Sequence, residues 1–573
     1  MKPADLVSTR RIRPQLLLEL DLTRGLLEAP PTTRLEAARS RHVPTLRAVV
    51  EALRKASHDD SVVGMVAHIA GKQPTLAQSH EIRTAISEFS GAGKLTVCWS
   101  ESYGEMGPGN IAYHLATGFD EIWLQPSGDV GLIGVVAEAV FVRDALDKLA
   151  IMTQIGQRAE YKTAANMFME SSMTAPHREM VERIVESAMT TIVNDVAAAR
   201  RIDSASVRNA IDHAPLTAEE ALSRGLVDRL GYRDEVYADL RRRLGEVQLR
   251  YVTRYDKGLK SLAAQTIQTP PRVGRRSKPV VAVVQASGGI HLGHSGRSPV
   301  GGPSIGSDSL GSALRSVGED DAVRAVVLRV DSPGGSYVAS DAIRREVLAL
   351  RRTGRPVVAS MGSVAGSGGY YIAMPADVVV ANPGTLTGSI GVLAGKQVIR
   401  DALSRIGVQR EAVSSGAYAE MFSTQRPFDD DEWRRMEGWL DRVYADFTGK
   451  AAQDRSMPVA ELESVAKGRV WTGSDARDRG LVDELGGLED AIGLACERAR
   501  FKRSAVDVKA LPKQRLVERV RPADNSESPA AATGVWLSSK LGSVLTSGFE
   551  PMLATFGLAP YGVLTMPVLW SLA

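Results

Sequence analysis

At 573 residues, with 44% apolar and 24% charged side chains, the chain is too long for one hydrophobic core and ordinary in composition for a globular protein of several domains. Its 70 basic and 67 acidic residues leave a formal charge of +3, which supplies no field for tracking phosphates, so nucleic acid is not an expected partner. Cys98 and Cys496 sit singly in apolar runs, outside any Cys-x-x-Cys or Cys/His cluster, which argues against a disulfide framework or a zinc site.

Taken from the amino end, Arg10-Arg11-Ile12-Arg13-Pro14 is basic, but the run that follows it at 15–22 is short and broken by Glu19 and Asp21. It reads as a strand joining the first domain's sheet, not as the apolar core of a signal peptide or anchor. Residues 1–42 are therefore an extension, and 43–255 a first domain. The segment 256–278, with Thr269-Pro270-Pro271 and Arg275-Arg276, has the composition of a linker.

A second domain, 279–500, opens on the β-branched run Val280-Val281-Ala282-Val283-Val284 and passes into a Gly/Ser-rich stretch, 287–311, expected to be a mobile loop. A strand at 325–330 then leads into Asp331-Ser332-Pro333-Gly334-Gly335 and a helical pattern over 339–350. A strand at 356–359, a glycine cluster around Ser367 and a strand at 378–380 follow. This alternation predicts α/β domains with largely parallel sheets and ligands at the carboxyl ends of strands. Residues 501–573 read as a polar, low-complexity tether ending in the uncharged run 551–573. That run is long enough for a bilayer of about 30 Å. Its prolines Pro551, Pro560 and Pro567 oppose a regular spanning helix, and docking at an interface or on a partner is expected, with burial or a true span as the alternatives.

The two domains are copies of each other. Residues 110–162 lie over 367–419 without a gap, 257 positions apart, pairing Asp120 with Asp377, Pro126 with Pro383, Gly131 with Gly388, Gly134 with Gly391 and Tyr161 with Tyr418. A second anchor, Gly225-Leu226-Val227-Asp228 with Gly480-Leu481-Val482-Asp483, is offset by 255. A period this long means tandem domains, not a solenoid. Within it, Ser367 answers to Asn110 and Lys162 to Ala419, so each copy keeps a different member of a pair.

Gly366-Ser367-Gly368-Gly369-Tyr370-Tyr371 follows a strand and starts a helix, which sets a hydroxyl where backbone N–H groups favour negative charge. The glycines at 334 and 335, directly after another strand, allow close backbone approach and aim amides at one point. Taken alone, each string is also compatible with a simple turn. None of the nine histidines, His114, His213, His291 and His294 among them, sits with a carboxylate in a recognisable serine-hydrolase motif. A lysine with a lowered pKa is the alternative base.

The ordered set of Asp-Ser-Pro-Gly-Gly, Gly-Ser-Gly-Gly-Tyr-Tyr, Thr387-Gly388-Ser389-Ile390-Gly391 and Glu160-Tyr161-Lys162-Thr163-Ala164 resembles the signal peptide peptidase A (protease IV) family in its long tandem-domain form. The resemblance covers about residues 15–500. It implies two Clp-protease/crotonase-like domains and a serine endopeptidase acting on unstructured peptides such as signal-peptide remnants. It further implies Ser367 as nucleophile, Lys162 as general base, Ser389 as the residue orienting that lysine, and the Gly335 and Gly368 amides as oxyanion donors. No metal or cofactor is called for. Peptide substrates, a ring-like homo-oligomer such as a tetramer, and membrane association follow from the same resemblance. Family members usually carry an amino-terminal anchor that is not seen here, which leaves a cytoplasmic location as the alternative. Two rival functions stay open at this point: a crotonase-like acyl-CoA enzyme, and a noncatalytic membrane-associated scaffold.

Overall fold

The computed structural model describes residues 15–31, 40, 43–255, 278–298, 302–511 and 564–566. The linker expected at 256–278, save its last residue, lies outside them, as does most of the tail at 551–573. The chain forms two compact units, the first built from Met1–Gly134 and Ile192–Gly274, the second from Val135–Thr191 and Arg275–Ala573. The segment 135–191, which is part of the first sequence repeat, thus folds into the second unit.

The sheet of the first unit has six strands in the order Arg229–Leu230, Glu121–Leu124, Leu95–Ser100, Val62–His68, Leu16–Asp21, Gln248–Tyr251, and every neighbouring pair is parallel. The run at 15–22 takes its expected place. In the second unit the corresponding order is Glu484–Leu485, Val378–Ala381, Val357–Gly366, Val323–Ser332, Val280–Ser287, Asp507–Ala510, again parallel throughout. Two further strands, Leu386–Gly388 and Val470–Thr472, extend this sheet past the far half of Val357–Gly366. Val280–Ser287 and Val323–Ser332 are buried along almost their whole length, as strands covered on both faces must be.

Identical local bonds in both units explain why the repeat is visible in sequence. Asp120 accepts from the Thr96 N–H at 3.1 Å, and Asp377 from the Val357 N–H at 2.8 Å. Asp228 accepts from Ile122 N–H at 2.8 Å and Asp483 from Val379 N–H at 2.7 Å. Each of these two aspartates also pairs with an arginine at the carboxyl end of a long helix, Arg200 at 2.7 Å or the capping Arg455 at 2.5 Å. Tyr113 and Tyr370 donate to the carbonyls of Leu226 and Leu481. The Gly-Leu-Val-Asp segment is therefore a lock between a strand start and a helix.

Two expectations are corrected. The Gly/Ser-rich stretch at 287–311 is not a loop throughout. It holds the strands Gly289–His291, Gly296–Ser298 and Gly302–Gly306 and the start of the helix Ser307–Glu319. Small residues let the strands approach closely, and the Ser304 hydroxyl donates to the Gly296 carbonyl at 3.1 Å. The segment expected to be a tether from 501 onward holds the strand Asp507–Ala510 beside Val280–Ser287, and its residues 512–563 and 567–573 lie outside the described residues. The strand's pairing partner, not its polar composition, decides its state.

Candidate active site

A two-stranded antiparallel ribbon of the second unit, Met152–Arg158 against Val392–Val398, organises the site. Its register sets Arg158 opposite Val392, so that the chain leaving the first strand and the chain entering the second meet at one end. Lys162 lies four residues beyond Arg158, and Ser389 three before Val392. The segment around Lys162 is clamped from behind: Tyr161 N–H donates to the Lys467 carbonyl at 3.1 Å, Glu160 pairs with Lys467 at 3.1 Å, and Glu179 accepts from both the Tyr161 hydroxyl and Arg469. Glycine is required at two of the backing positions. A Cβ on Gly468, whose φ is +79°, would sit 2.5 Å from Lys162 N, and one on Gly391 would sit 3.1 Å from Lys162 Cδ.

Ser367 occupies the step from the strand Val357–Gly366 into the helix Gly368–Ala373, with φ 54° and ψ −114°. This is a strained conformation for a residue with a Cβ. Ser367 N–H donates to the Gly388 carbonyl at 2.8 Å and its own carbonyl receives the Tyr371 N–H at 2.9 Å, so the turn is pinned from both sides. Ser389 also has positive φ, 51°, and its N–H donates to the Arg469 carbonyl at 2.7 Å.

These elements bring Lys162, Ser367 and Ser389 together, all three fully buried. Lys162 Nζ lies 2.8 Å from Ser367 Oγ, 3.1 Å from Ser389 O and 3.1 Å from Ser389 Oγ. Burial holds the amine well below its ordinary pKa, and among the described residues no carboxylate opposes that shift. A neutral amine has two N–H groups and one lone pair. The Ser389 carbonyl can only accept, and the Ser389 hydroxyl can take the second N–H, which leaves the lone pair for the Ser367 hydroxyl. The arrangement can thus withdraw a proton from Ser367.

The glycine pair predicted to carry amides converges as well. A Cβ built on Gly368 would lie 3.0 Å from Gly335 N and 2.8 Å from Ser340 Oγ, so the two backbones touch beside Ser367. Gly334–Gly335 forms a short strand, and Ser336 caps the helix Tyr337–Arg352 directly after it.

In the first unit, Asn110 stands at the position matching Ser367. Its side chain donates to Gly134 O at 2.7 Å and accepts from Gly134 N–H at 3.1 Å. His114, which no sequence motif joins to a carboxylate, meets one in space. Its Nε2 lies 2.8 Å from Asp195 and its Nδ1 2.8 Å from the Ser79 hydroxyl. Ser79 is completely buried within the helix Leu76–Gly91. Burial pushes His114 down to about 4 and His80 beside it to about 3. Among the described residues, His80, His114 and Asp195 are the group whose ligand atoms lie within 4.8 Å of one another. The buried Arg83 guanidinium, whose charge also lowers His114, disfavours a cation there. Ser79, His114 and Asp195 span 117 positions (79 to 195), and no sequence motif announces them.

Comparison with known proteins adds the following. The model for Peptidase family S49 matches residues 93–247 and 349–502. Protease 4 of Salmonella typhi is 32% identical over 516 residues, which is 86% of this chain and 79% of that one. The chloroplastic serine protease SPPA of Arabidopsis thaliana is 33% identical over 448 residues, 78% of this chain and 64% of its own. Protease 4 of Haemophilus influenzae is 31% identical over 462 residues, 78% and 72% of the two chains. Among the described residues no helix is long and apolar enough to cross a membrane.

Proposed function

The chain belongs to peptidase family S49, and on that premise we propose that its serine-peptidase chemistry runs through Ser367 as nucleophile and Lys162 as general base. The observation that carries this reading is the 2.8 Å contact between a buried amine without a carboxylate partner and the Ser367 hydroxyl. Ser367 Oγ attacks the peptide carbonyl while Lys162 takes its proton. The resulting oxyanion is held by the Gly335 and Gly368 amides, each donor being worth about 2.7–4 kcal/mol of barrier in comparable sites. Lys162 then returns the proton to the leaving amine, and a water that yields its proton to Lys162 hydrolyses the acyl-enzyme. Ser389 holds the amine in line.

The substrates are unstructured peptides, signal-peptide remnants among them. An acyl-CoA enzyme or a scaffold has no use for an amine desolvated against a serine hydroxyl, and neither rival is favoured. We further propose self-association into a ring. Exposed Val136, Val140, Leu149, Met152, Ile406 and Val408 of the second unit support a contact surface for another copy. Membrane association stands as part of the same reading.

The decisive experiment is labelling with a fluorophosphonate probe together with a peptide-hydrolysis assay. Wild type is expected to label and to hydrolyse, Ser367→Ala to do neither, and Lys162→Ala to lose about 10²–10⁴-fold in rate. Equal labelling of wild type and Ser367→Ala would reject the nucleophile.

A further inference from the structure

Residues 467–469 bond in turn to the segment that carries Lys162 and to the one that carries Ser389. The Lys467 carbonyl accepts from Tyr161 N–H at 3.1 Å, Gly468 N–H donates to the Ile390 carbonyl at 2.7 Å, and the Arg469 carbonyl accepts from Ser389 N–H at 2.7 Å. The Arg469 side chain then reaches Tyr161. Its guanidinium lies 4.7 Å from the centre of the Tyr161 ring and 4.4 Å from that of Trp471. It donates to one oxygen of Glu179 at 2.7 Å, and the other oxygen of that carboxylate takes the Tyr161 hydroxyl at 2.8 Å. Tyr161 is therefore held through its ring and its hydroxyl by the residue whose own backbone holds Ser389. Trp471 is fixed as well, its Nε1 donating to the Val465 carbonyl at 2.8 Å and its ring also meeting Arg479 at 3.9 Å.

The backbone bonds of 467–469 ask for no particular side chain, but the contacts at 469 do. A flat, permanently charged group can lie on aromatic rings and bond a carboxylate at its edge, which a compact ammonium cannot. The Arg469 side chain is 15% exposed, and contacts of this kind are stronger away from water. We propose that Arg469 is a positioning residue for the reaction: its guanidinium, against Tyr161 and Trp471 and bonded to Glu179, keeps Lys162 in register with Ser389 and thereby with Ser367. It acts through these neighbours and not on the reacting atoms. The charged groups flanking the lysine are all paired, Arg158 with Asp441, Glu160 with Lys467 and Glu179 with Arg469. The proposal rests on the peptidase reading given above.

The test follows hydrolysis of a neutral peptide by the full chain across pH. Arg469→Met fills much of the space without the charge or the flat face. It is expected to lower kcat about 10²-fold at pH 7 with KM changed far less. An amine released toward water holds its proton more tightly, so the fall of kcat/KM on the acid side should move to higher pH and the deficit should shrink at pH 9. Arg469→Lys keeps the charge beside Glu179 but not the stacking, and should fall between wild type and Arg469→Met in both readouts. A misfolded chain would show no such recovery. Wild-type rates with an unmoved profile in Arg469→Met would overturn the proposal, as would a deficit of the same size at every pH, which marks a merely structural part. Either result leaves the peptidase reading standing. A Ser367→Ala chain that hydrolyses as fast as wild type would overturn both.

Discussion

An amine enclosed by two serines, one of them supplying its carbonyl as well, is shifted by burial toward its neutral form. That fixes the direction of two pH effects. The proposed base works when unprotonated, so kcat/KM is expected to fall as pH drops through the depressed pKa of Lys162 and to level off above it, a profile to be read from initial rates on a neutral peptide. In the unfolded chain the lysine titrates near 10.4, while burial lowers its value in the folded state. Between the two values the unfolded state binds a proton that the folded state does not. Stability therefore decreases as pH falls from about 10.4 to the folded pKa and is flat below it, by about 1.4 kcal/mol for each unit of difference. Lys162→Met removes this penalty and should melt higher than wild type at pH 7, with the gap narrowing at pH 10; an equal gap at both would show that the lysine is not neutral when folded. Ser389→Ala leaves the carbonyl contact but removes the hydroxyl at 3.1 Å. It should lower kcat about tenfold with little change in KM.

Elements hold these residues in register, and two positions test them. Gly468→Ala would push a methyl against the Lys162 backbone at a positive-φ position. Its expected outcome is a loss of at least about tenfold in labelling rate with the circular-dichroism spectrum preserved. The helix Ala175–Arg200 is tied to the helix Gly473–Asp478 by Arg183, which makes two bonds to the buried Asp475 at 2.6 and 3.0 Å. Arg183 is about half exposed, and Asp475 keeps a second contact from Arg479 at 3.4 Å. Arg183→Ala should therefore cost only about 1–2 kcal/mol in a denaturant melt. Elements of this kind differ in how plainly sequence announces them. The β-branched runs at 280–284 and 325–330 and the glycine turns after their sheet were legible because burial on both faces and tight turning each demand particular residue types. The ribbon strands Met152–Arg158 and Val392–Val398 are mixed and half-buried, so neither alternation nor an apolar run marks them. The strand at 564–565 is unmarked for another reason, since it lies inside a longer uncharged run.

At the scale of the molecule, duplication was readable because each copy retains the aspartates and tyrosines that lock the same strand starts to the same helices. Which compact unit takes residues 135–191 was not readable, since that depends on the pairing of Met152–Arg158 with a partner more than 200 positions away. In the first unit the Asn110 side chain is bonded to Gly134, the last residue before the segment that joins the second unit. Asn110→Ser alone is therefore expected to create no second labelling site in a Ser367→Ala background, and a labelled product there would contradict the loss of function assigned to that copy. Lys162 is backed by Gly468 and clamped by Lys467 and Arg469, while the hydroxyl it faces comes 205 positions after it. A ribosome thus delivers the amine early, the hydroxyl late, and the wall that seats the amine later still. In a growing polypeptide the proposed pair therefore lacks its backing wall until residues near 470 have been added.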